Sequence, residues 1–284
     1  MLGLFKKSVF IALFVLSSPS VFSRPNMAPL GPSIADSGSH YYRFRSYQIA
    51  SVDKQRHYKV WVAVPKKAAP QQGYPVLYML DGNSSLNRLC ESQLQAMSEK
   101  HPAVLVFVGY DTPLPFDLTA RAFDYTPSSN DPHAQNQMLA RGRTGGGSSI
   151  FRSLLEKEII PRSEASLPIN STQRSLWGHS YGGLFVLDTY LHSHQFRHYF
   201  AASPSLGQGY ESLLNDIAAQ TANPASLTIM LGQTSNRSPT IDIRQQEAKW
   251  AQQRLTISTI DYPGLSHGAM FGASLQDTLK TVSQ

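Results

Sequence analysis

The stretch Ser175-Leu-Trp-Gly-His-Ser180-Tyr-Gly-Gly-Leu-Phe-Val-Leu-Asp-Thr189 carries the most structural information in the chain. It contains Gly-x-Ser-x-Gly directly after a short apolar strand and directly before an apolar helix. In that context the serine lies at a sharp strand-to-helix turn, and the flanking glycines let strand and helix pass closely. The pattern predicts Ser180 as a nucleophile, and the backbone N–H of Tyr181 as a donor to a developing oxyanion.

Apolar strands alternate with helical segments on both sides of this stretch. Tyr42–Ile49 and His57–Val64 predict an antiparallel pair, and Pro75–Leu80 and Ala103–Val108 are continuous apolar runs typical of strands buried on both faces. Further strands are predicted at 176–177, 199–202, 227–231 and 255–262, and helices near 86–100, 149–160, 183–193, 210–220, 241–254 and 270–281. This alternation predicts an α/β fold: a mostly parallel sheet with antiparallel N-terminal strands and helices on both faces.

The base of a serine nucleophile is sought among the histidines that follow it. In α/β hydrolases the chain order is Ser, then acid, then His. His192, His194 and His198 lie near the C-terminus of the helix after Ser180, where a histidine complements the helix dipole. A metal site is the alternative reading of these three. His267 follows the last predicted strand and opens the last helix, so we predict it as the catalytic base.

The acid of a catalytic triad has no clear candidate. It is expected just after the strand Leu227–Leu231, yet the next nine residues contain no Asp or Glu. Asp242 and Glu247 come later, where helix-surface acids are equally expected. The sequence therefore favours a Ser180–His267 dyad, with Asp242 or Glu247 as an alternative orienting acid. A backbone carbonyl can also fix a histidine tautomer.

The second oxyanion donor is expected in the loop after the third strand. That loop is Leu80-Asp-Gly-Asn83, so the backbone N–H of Gly82 or Asn83 is the candidate. The stretch from Gly109 to Ser149 is predicted as a long loop, because it is rich in Pro, Gly and Asn, and loops of that length are typically functional or disordered.

Charge and the N-terminal residues bear on location. The chain has 25 Lys+Arg against 19 Asp+Glu, a formal charge of +6, which hints at an anionic partner such as nucleic acid. Lys6 and Lys7 precede the apolar run Val9–Leu16, and a cut before Arg24 makes residues 1–23 a signal peptide. An uncleaved membrane anchor is the alternative. Either reading places the body in the periplasm or otherwise outside the cytosol, which argues against nucleic acid. Residues 24–40 read as a surface arm, and 41–284 as one domain.

The cysteine content and the metal-binding motifs of the sequence do not indicate a further functional site. The single cysteine, Cys90, is expected to be a buried or half-buried residue of a helix, and an exported protein with one thiol has no internal disulfide. No CxxC, HExxH or EF-hand spacing occurs, so neither a metal site nor a cofactor is predicted.

Six segments together resemble a known family. The chain is similar to the "putative esterase" branch of the α/β hydrolases, which includes the siderophore trilactone esterases. The matching segments are Leu80–Asn83, Arg121–Pro127, Gly145–Phe151, Leu176–Asp188, Ala202–Gly207 and His267–Phe271. The resemblance implies a serine esterase with a Ser-His dyad that cleaves the cyclic triserine ester of a catecholate siderophore of the enterobactin or salmochelin type. The stretch 232–254 matches poorly.

The resemblance also suggests a use for the arginines. A ferric catecholate siderophore is a compact trianion, and guanidinium groups suit delocalised oxygens and aromatic faces. The long loop contains Arg121, Arg141 and Arg143, which are predicted to bind substrate. No Asp or Glu occurs from Pro132 to Leu155. A structural tie between Arg121 and Asp124 is the alternative. The remaining functional alternatives are another exported carboxylic-ester hydrolase, acting on feruloyl or acetyl esters, and a non-catalytic siderophore-binding protein.

Overall fold

One eight-stranded sheet organises the chain. The computed structural model describes residues 26–207, 209–221, 223–232 and 243–284. The strands are β1 (Tyr42–Ala50), β2 (His57–Pro65), β3 (Tyr74–Met79), β4 (Val104–Tyr110), β5 (Ile169–His179), β6 (His198–Ala202), β7 (Ser226–Gly232) and β8 (Thr256–Tyr262).

The strand order is β1-β2-β4-β3-β5-β6-β7-β8. β2 pairs antiparallel with both β1 and β4, and all other neighbours are parallel. The prediction of a mostly parallel sheet with antiparallel N-terminal strands is confirmed. The parallel strands end at one edge, and the loops leaving β3, β5, β6 and β8 at that edge build the site described below.

Helices cover both faces of the sheet. They are α1 (Ile34–Ser37), α2 (Gly82–Asn87), α3 (Glu91–Glu99), α4 (Ala120–Tyr125), α5 (Pro132–Ala140), α6 (Ser148–Leu154), a π-helical turn (Leu155–Ile159), α7 (Ile160–Glu164), α8 (Tyr181–His192), α9 (Ser212–Ala218), α10 (Ile243–Gln252) and α11 (Ala269–Val282).

Two hydrophobic cores result, one on each face of the sheet. In β3, Val76 and Tyr78 belong to the core that α8 covers, whereas Leu77 and Met79 belong to the core that α11 covers. All four are fully buried, because alternate side chains of a strand point to opposite faces and helices close both. This double burial explains the uninterrupted apolar runs in the sequence.

Two local predictions were wrong. The stretch 109–149 contains the helices α4 and α5 rather than only loop. Tyr125 of α4 is fully buried, so packing against α6 and α8 stabilises a helix too short to show a clear period. Of the predicted surface arm, residues 26–40 are described; none of them is buried, and the short helix α1 among them packs Ile34 on the core. Cys90 is exposed at the N-cap of α3, because the predicted helix 86–100 is broken there.

Some sequence predictions lie outside the described residues. These are the 1–23 signal segment and Asp242. Among the residues that the structure describes, no helix is long and apolar enough to span a membrane.

Candidate active site

Ser180 sits at the turn between β5 and α8 with a strained backbone. Its φ is 62° and its ψ −116°, a region that residues with a Cβ rarely adopt. The turn is held because the Ser180 N–H donates to the Ala202 carbonyl at 2.9 Å. Gly178 is required, since an added Cβ there would collide with the backbone of Gly182. The turn thus projects Ser180 at the carboxyl edge of the sheet, as Gly-x-Ser-x-Gly predicts.

His267 reaches Ser180 from the loop between β8 and α11. Its Nε2 lies 3.0 Å from Ser180 Oγ. Burial, and then the positive charge of Arg121, lower the pKa of His267 below its usual 6.5. The imidazole is therefore neutral at pH 7 and can accept the serine proton. The structure brings together the two residues predicted as nucleophile and base.

No carboxylate within the described residues hydrogen-bonds or ion-pairs with the His267 side chain. Glu247 accepts a hydrogen bond from Thr259 Oγ1 on β8, and Asp242 lies outside the described residues. The contact that the sequence did not reveal comes from His179, the residue before the nucleophile. Its Nε2 donates to the His267 carbonyl oxygen at 2.8 Å, and the two ring centroids are 4.8 Å apart.

The tautomer of His179 follows from its burial. Desolvation, then the nearby His267, hold the pKa of His179 well below its usual value, so its ring is neutral. A neutral imidazole with its proton on Nε2 donates to the His267 carbonyl and fixes the loop that carries the base.

The backbone N–H groups predicted as oxyanion donors belong to the first residues of two helices. Tyr181 is the first residue of α8 and Gly82 the first of α2, and Asn83 follows. The first N–H groups of a helix have no intrahelical acceptor. None of these three N–H groups bonds to an acceptor among the described residues. Gly82 lets α2 approach β4, because a Cβ there would lie 2.6 Å from the Gly109 nitrogen.

The side chain of Asn83 anchors the loop that holds its own N–H. Its amide nitrogen donates to the carbonyl oxygens of Tyr110 and Thr112 at 3.0 and 2.9 Å, and its Oδ1 accepts from the Tyr110 N–H. These bonds tie the start of α2 to the end of β4.

Arg121 is buried next to the site rather than free. Its Nε and Nη2 donate to the two carboxylate oxygens of Asp81 at 2.7 and 2.8 Å. The guanidinium also lies 5.4 Å from the Tyr181 ring centroid. The alternative tie to Asp124 is wrong, because Asp124 pairs with Arg56 instead, at 3.0 Å. Asp81 is thus an ion-pair partner, and its backbone adopts the left-handed conformation before α2.

Arg141 and Arg143 follow α5 on the outer side of Tyr181. Arg141 is exposed, and its Nη1 donates to the Tyr181 hydroxyl at 3.2 Å. Arg143 lines a cavity of about 390 Å³ together with Met138 and Tyr210. The Tyr181 hydroxyl also contacts the Met138 sulfur at 3.8 Å. The cavity therefore adjoins the residue directly after the nucleophile.

His192, at the end of α8, and His198, at the start of β6, each make a hydrogen-bond contact away from Ser180. His192 Nδ1 lies 2.8 Å from the Asp188 carbonyl oxygen, and His198 Nδ1 lies 2.8 Å from Ser226 Oγ. Within the described parts of the chain, no group of three His, Cys, Asp or Glu side chains is arranged to hold a metal ion.

Ser205 is the second residue at the site that sequence reasoning missed. Its Oγ lies 3.0 Å from Ser180 Oγ. The only signal for it was the Ala202–Gly207 segment of the family resemblance, which gives no role for the hydroxyl.

The sheet order and the serine turn define an α/β hydrolase. The family model described as "Putative esterase" matches residues 51–268, so the chain belongs to this esterase family, as the sequence resemblance indicated.

One curated relative matches nearly the whole chain, and another matches about half of it. The chain is 44% identical over 297 residues to the apo-salmochelin esterase of Escherichia coli O6:H1, covering 98% of this chain and 92% of that relative. It is 35% identical to the ferri-bacillibactin esterase BesA of Bacillus subtilis, over 56% of this chain and 57% of the relative. The solved structure of the enterobactin hydrolase IroE in complex with DFP is 46% identical, with a TM-score of 0.81, covering 89% of this chain and 99% of that one.

Proposed function

We propose that this esterase hydrolyses the trilactone backbone of a catecholate siderophore of the enterobactin or salmochelin type, through an acyl-enzyme on Ser180. The observation that carries the proposal is the 3.0 Å contact between Ser180 Oγ and His267 Nε2 at the strained turn. Nearly full-length similarity to an apo-salmochelin esterase supports the substrate class. The neutral state of His267 supports its role as base.

The proposed reaction has two steps, acylation of Ser180 and hydrolysis of the acyl-enzyme. His267 Nε2 takes the hydroxyl proton of Ser180 while Oγ bonds to the ester carbonyl carbon, and the carbonyl π pair moves onto oxygen. The N–H groups of Tyr181 and of Gly82 or Asn83 hold this oxyanion. The intermediate collapses, the ester C–O bond breaks, and the departing serine oxygen takes the proton from His267. Water then attacks the acyl-enzyme in the same way, releasing the acid and restoring Ser180.

Arginine side chains would hold an anionic substrate. Arg141 is exposed beside Tyr181, and Arg143 lines the adjoining cavity. Guanidinium groups bind catecholate oxygens and stack on aromatic rings. Asp81 already engages Arg121, so we assign the first contact with substrate to Arg141 and Arg143, with Arg121 contributing from behind Tyr181.

We also propose that the protein works in the periplasm. The support is the order of Lys6 and Lys7, the apolar run Val9–Leu16 and the polar residues before Arg24. Cell fractionation followed by N-terminal sequencing tests this, and an intact N-terminus in the cytosolic fraction contradicts it.

Product chromatography tests the substrate. The purified protein is incubated with enterobactin and its glucosylated form, each apo and ferric, and with p-nitrophenyl esters. We expect linear products from the trilactones and no turnover by Ser180→Ala. Cleavage of aryl, feruloyl or acetyl esters alone would instead indicate another carboxylic-ester hydrolase. Siderophore binding without cleavage and without fluorophosphonate labelling would indicate a binding protein.

A further inference from the structure

Three hydrogen-bond contacts join Ser180 to the end of β6 and the turn that follows it. The Ser180 N–H donates to the Ala202 carbonyl at 2.9 Å, and the Ser205 N–H donates to the Ser180 carbonyl at 3.1 Å. The third contact joins the hydroxyl oxygens of Ser180 and Ser205 at 3.0 Å. The turn lies against the start of α8, since a Cβ on Gly183 would come within 2.8 Å of the Ala202 oxygen. Ser205 is thus placed by backbone bonds, independently of its side chain.

The number of protons available at the site determines which of the two serine hydroxyls donates to the other. A serine hydroxyl has one proton to donate and two lone pairs that accept. For His267 to act as base, its Nε2 must be unprotonated. The Ser180 hydroxyl therefore donates its single hydrogen bond to Nε2, at 3.0 Å. Ser180 Oγ can then only accept from Ser205. The resulting chain runs from the Ser205 hydroxyl to the Ser180 hydroxyl to His267 Nε2.

We propose that Ser205 is a catalytic residue that donates a hydrogen bond to the nucleophilic oxygen; the proposal rests on the role of Ser180 proposed above. As the proton of Ser180 moves to His267, negative charge develops on Oγ, and the bond from Ser205 becomes charge-assisted. Such bonds are roughly twice as strong as neutral ones. The bond therefore strengthens on the way to the transition state, which is what lowers a barrier.

The same donor acts in deacylation. When water has added to the acyl-enzyme, the bond between the carbonyl carbon and Ser180 Oγ breaks, and the electron pair returns to Oγ. His267 returns the proton to that oxygen, and Ser205 stabilises the charge until it arrives. Among the described residues no carboxylate contacts the His267 side chain, and Ser205 would assist the dyad from the side of the serine oxygen.

Ser205→Ala separates this role from a structural one, because alanine keeps the N–H bond to the Ser180 carbonyl. The measurement is the second-order rate of inactivation by a fluorophosphonate as a function of pH, alongside kcat/KM for a p-nitrophenyl ester. We expect Ser205→Ala to lower both plateau rates about tenfold, as loss of one charge-assisted hydrogen bond implies. The midpoint of the acid limb, which reports His267, should stay unchanged.

An isosteric pair supplies the matched control. Ser205→Thr keeps the hydroxyl, whereas Ser205→Val places a side chain of the same shape as threonine there with a methyl group instead of the hydroxyl. We therefore expect the threonine variant to react about tenfold faster than the valine variant. This comparison decides the question even if alanine perturbs folding. Equal or faster reaction of the variants without a hydroxyl overturns the role of Ser205. Failure of the wild-type protein to react would instead overturn the role of Ser180.

Discussion

The ion pair between Asp81 and Arg121 allows a quantitative test of how the site is supported. Asp81 is 2% exposed and Arg121 7% exposed, and two hydrogen bonds of 2.7 and 2.8 Å join them. Asp81→Asn keeps the shape of the side chain and one acceptor oxygen but removes the charge. A buried guanidinium is then left without a counter-charge in surroundings that include the ring of Tyr181.

The expected loss of stability is large. Breaking a buried pair from one side costs about 3–5 kcal/mol, because the remaining charge stays desolvated. We expect about 3 kcal/mol for Asp81→Asn, since the amide oxygen still accepts one bond. At about 2–4 °C per kcal/mol for a chain of this size, Tm should fall by about 6–12 °C. Urea and thermal unfolding followed by circular dichroism measure both quantities.

Two controls distinguish an uncompensated charge from general disruption. Lys280→Gln breaks an exposed pair with Asp277, whose side chains are 70% and 41% exposed, and should cost no more than about 1 kcal/mol. The double variant Asp81→Asn/Arg121→Gln removes both charges and should recover part of the lost stability. A cost of less than about 1 kcal/mol for Asp81→Asn, or a double variant less stable than the single one, would show that an uncompensated buried charge is not the cause.

Three further outcomes follow from the site geometry. Burial and the charge of Arg121 lower the pKa of His267 below its usual 6.5, so the base stays neutral to a lower pH and the acid limb of the kcat/KM profile should have its midpoint below 6.5; a midpoint above 6.5 contradicts this. His179→Phe removes the donor to the His267 carbonyl and should lower kcat about tenfold, whereas in His179→Gln the amide restores a donor and most of kcat; equal kcat for the two variants argues against the hydrogen bond. Gly178→Ala should give little folded protein by expression yield and circular dichroism, whereas Gly207→Ala, whose added Cβ meets no atom within 4 Å, should fold normally; a folded, active Gly178→Ala enzyme would show that α8 can shift away from β5.

Much of the fold was readable from local patterns. Each of the eight strands overlaps a predicted segment. The clearest signals were the continuous apolar runs of β3 and β4, because both faces of these strands are buried. The helices α4 and α5 were missed, since their lengths of six and nine residues offer little helical period and their surroundings are rich in turn-forming residues. Packing of Tyr125 and its neighbours, not propensity, holds α4 in place.

Sequence patterns were enough to predict Ser180 as nucleophile, His267 as base and the edge of the sheet where the two residues meet. Ser180 follows from a motif that requires a strand before it and a helix after it, and His267 from its place after the last strand. Both inferences depend only on the order of elements along the chain, which local composition and periodicity encode.

Which side chains support that pair depends on the packing of the folded chain. Ser205 lies 25 positions from Ser180, and Asp81 lies 40 positions from Arg121. Contacts of this kind depend on which strands neighbour each other and on how far each loop extends beyond the sheet. No periodicity records such pairings, because they arise from the packing of separate elements rather than from the conformation of any one of them.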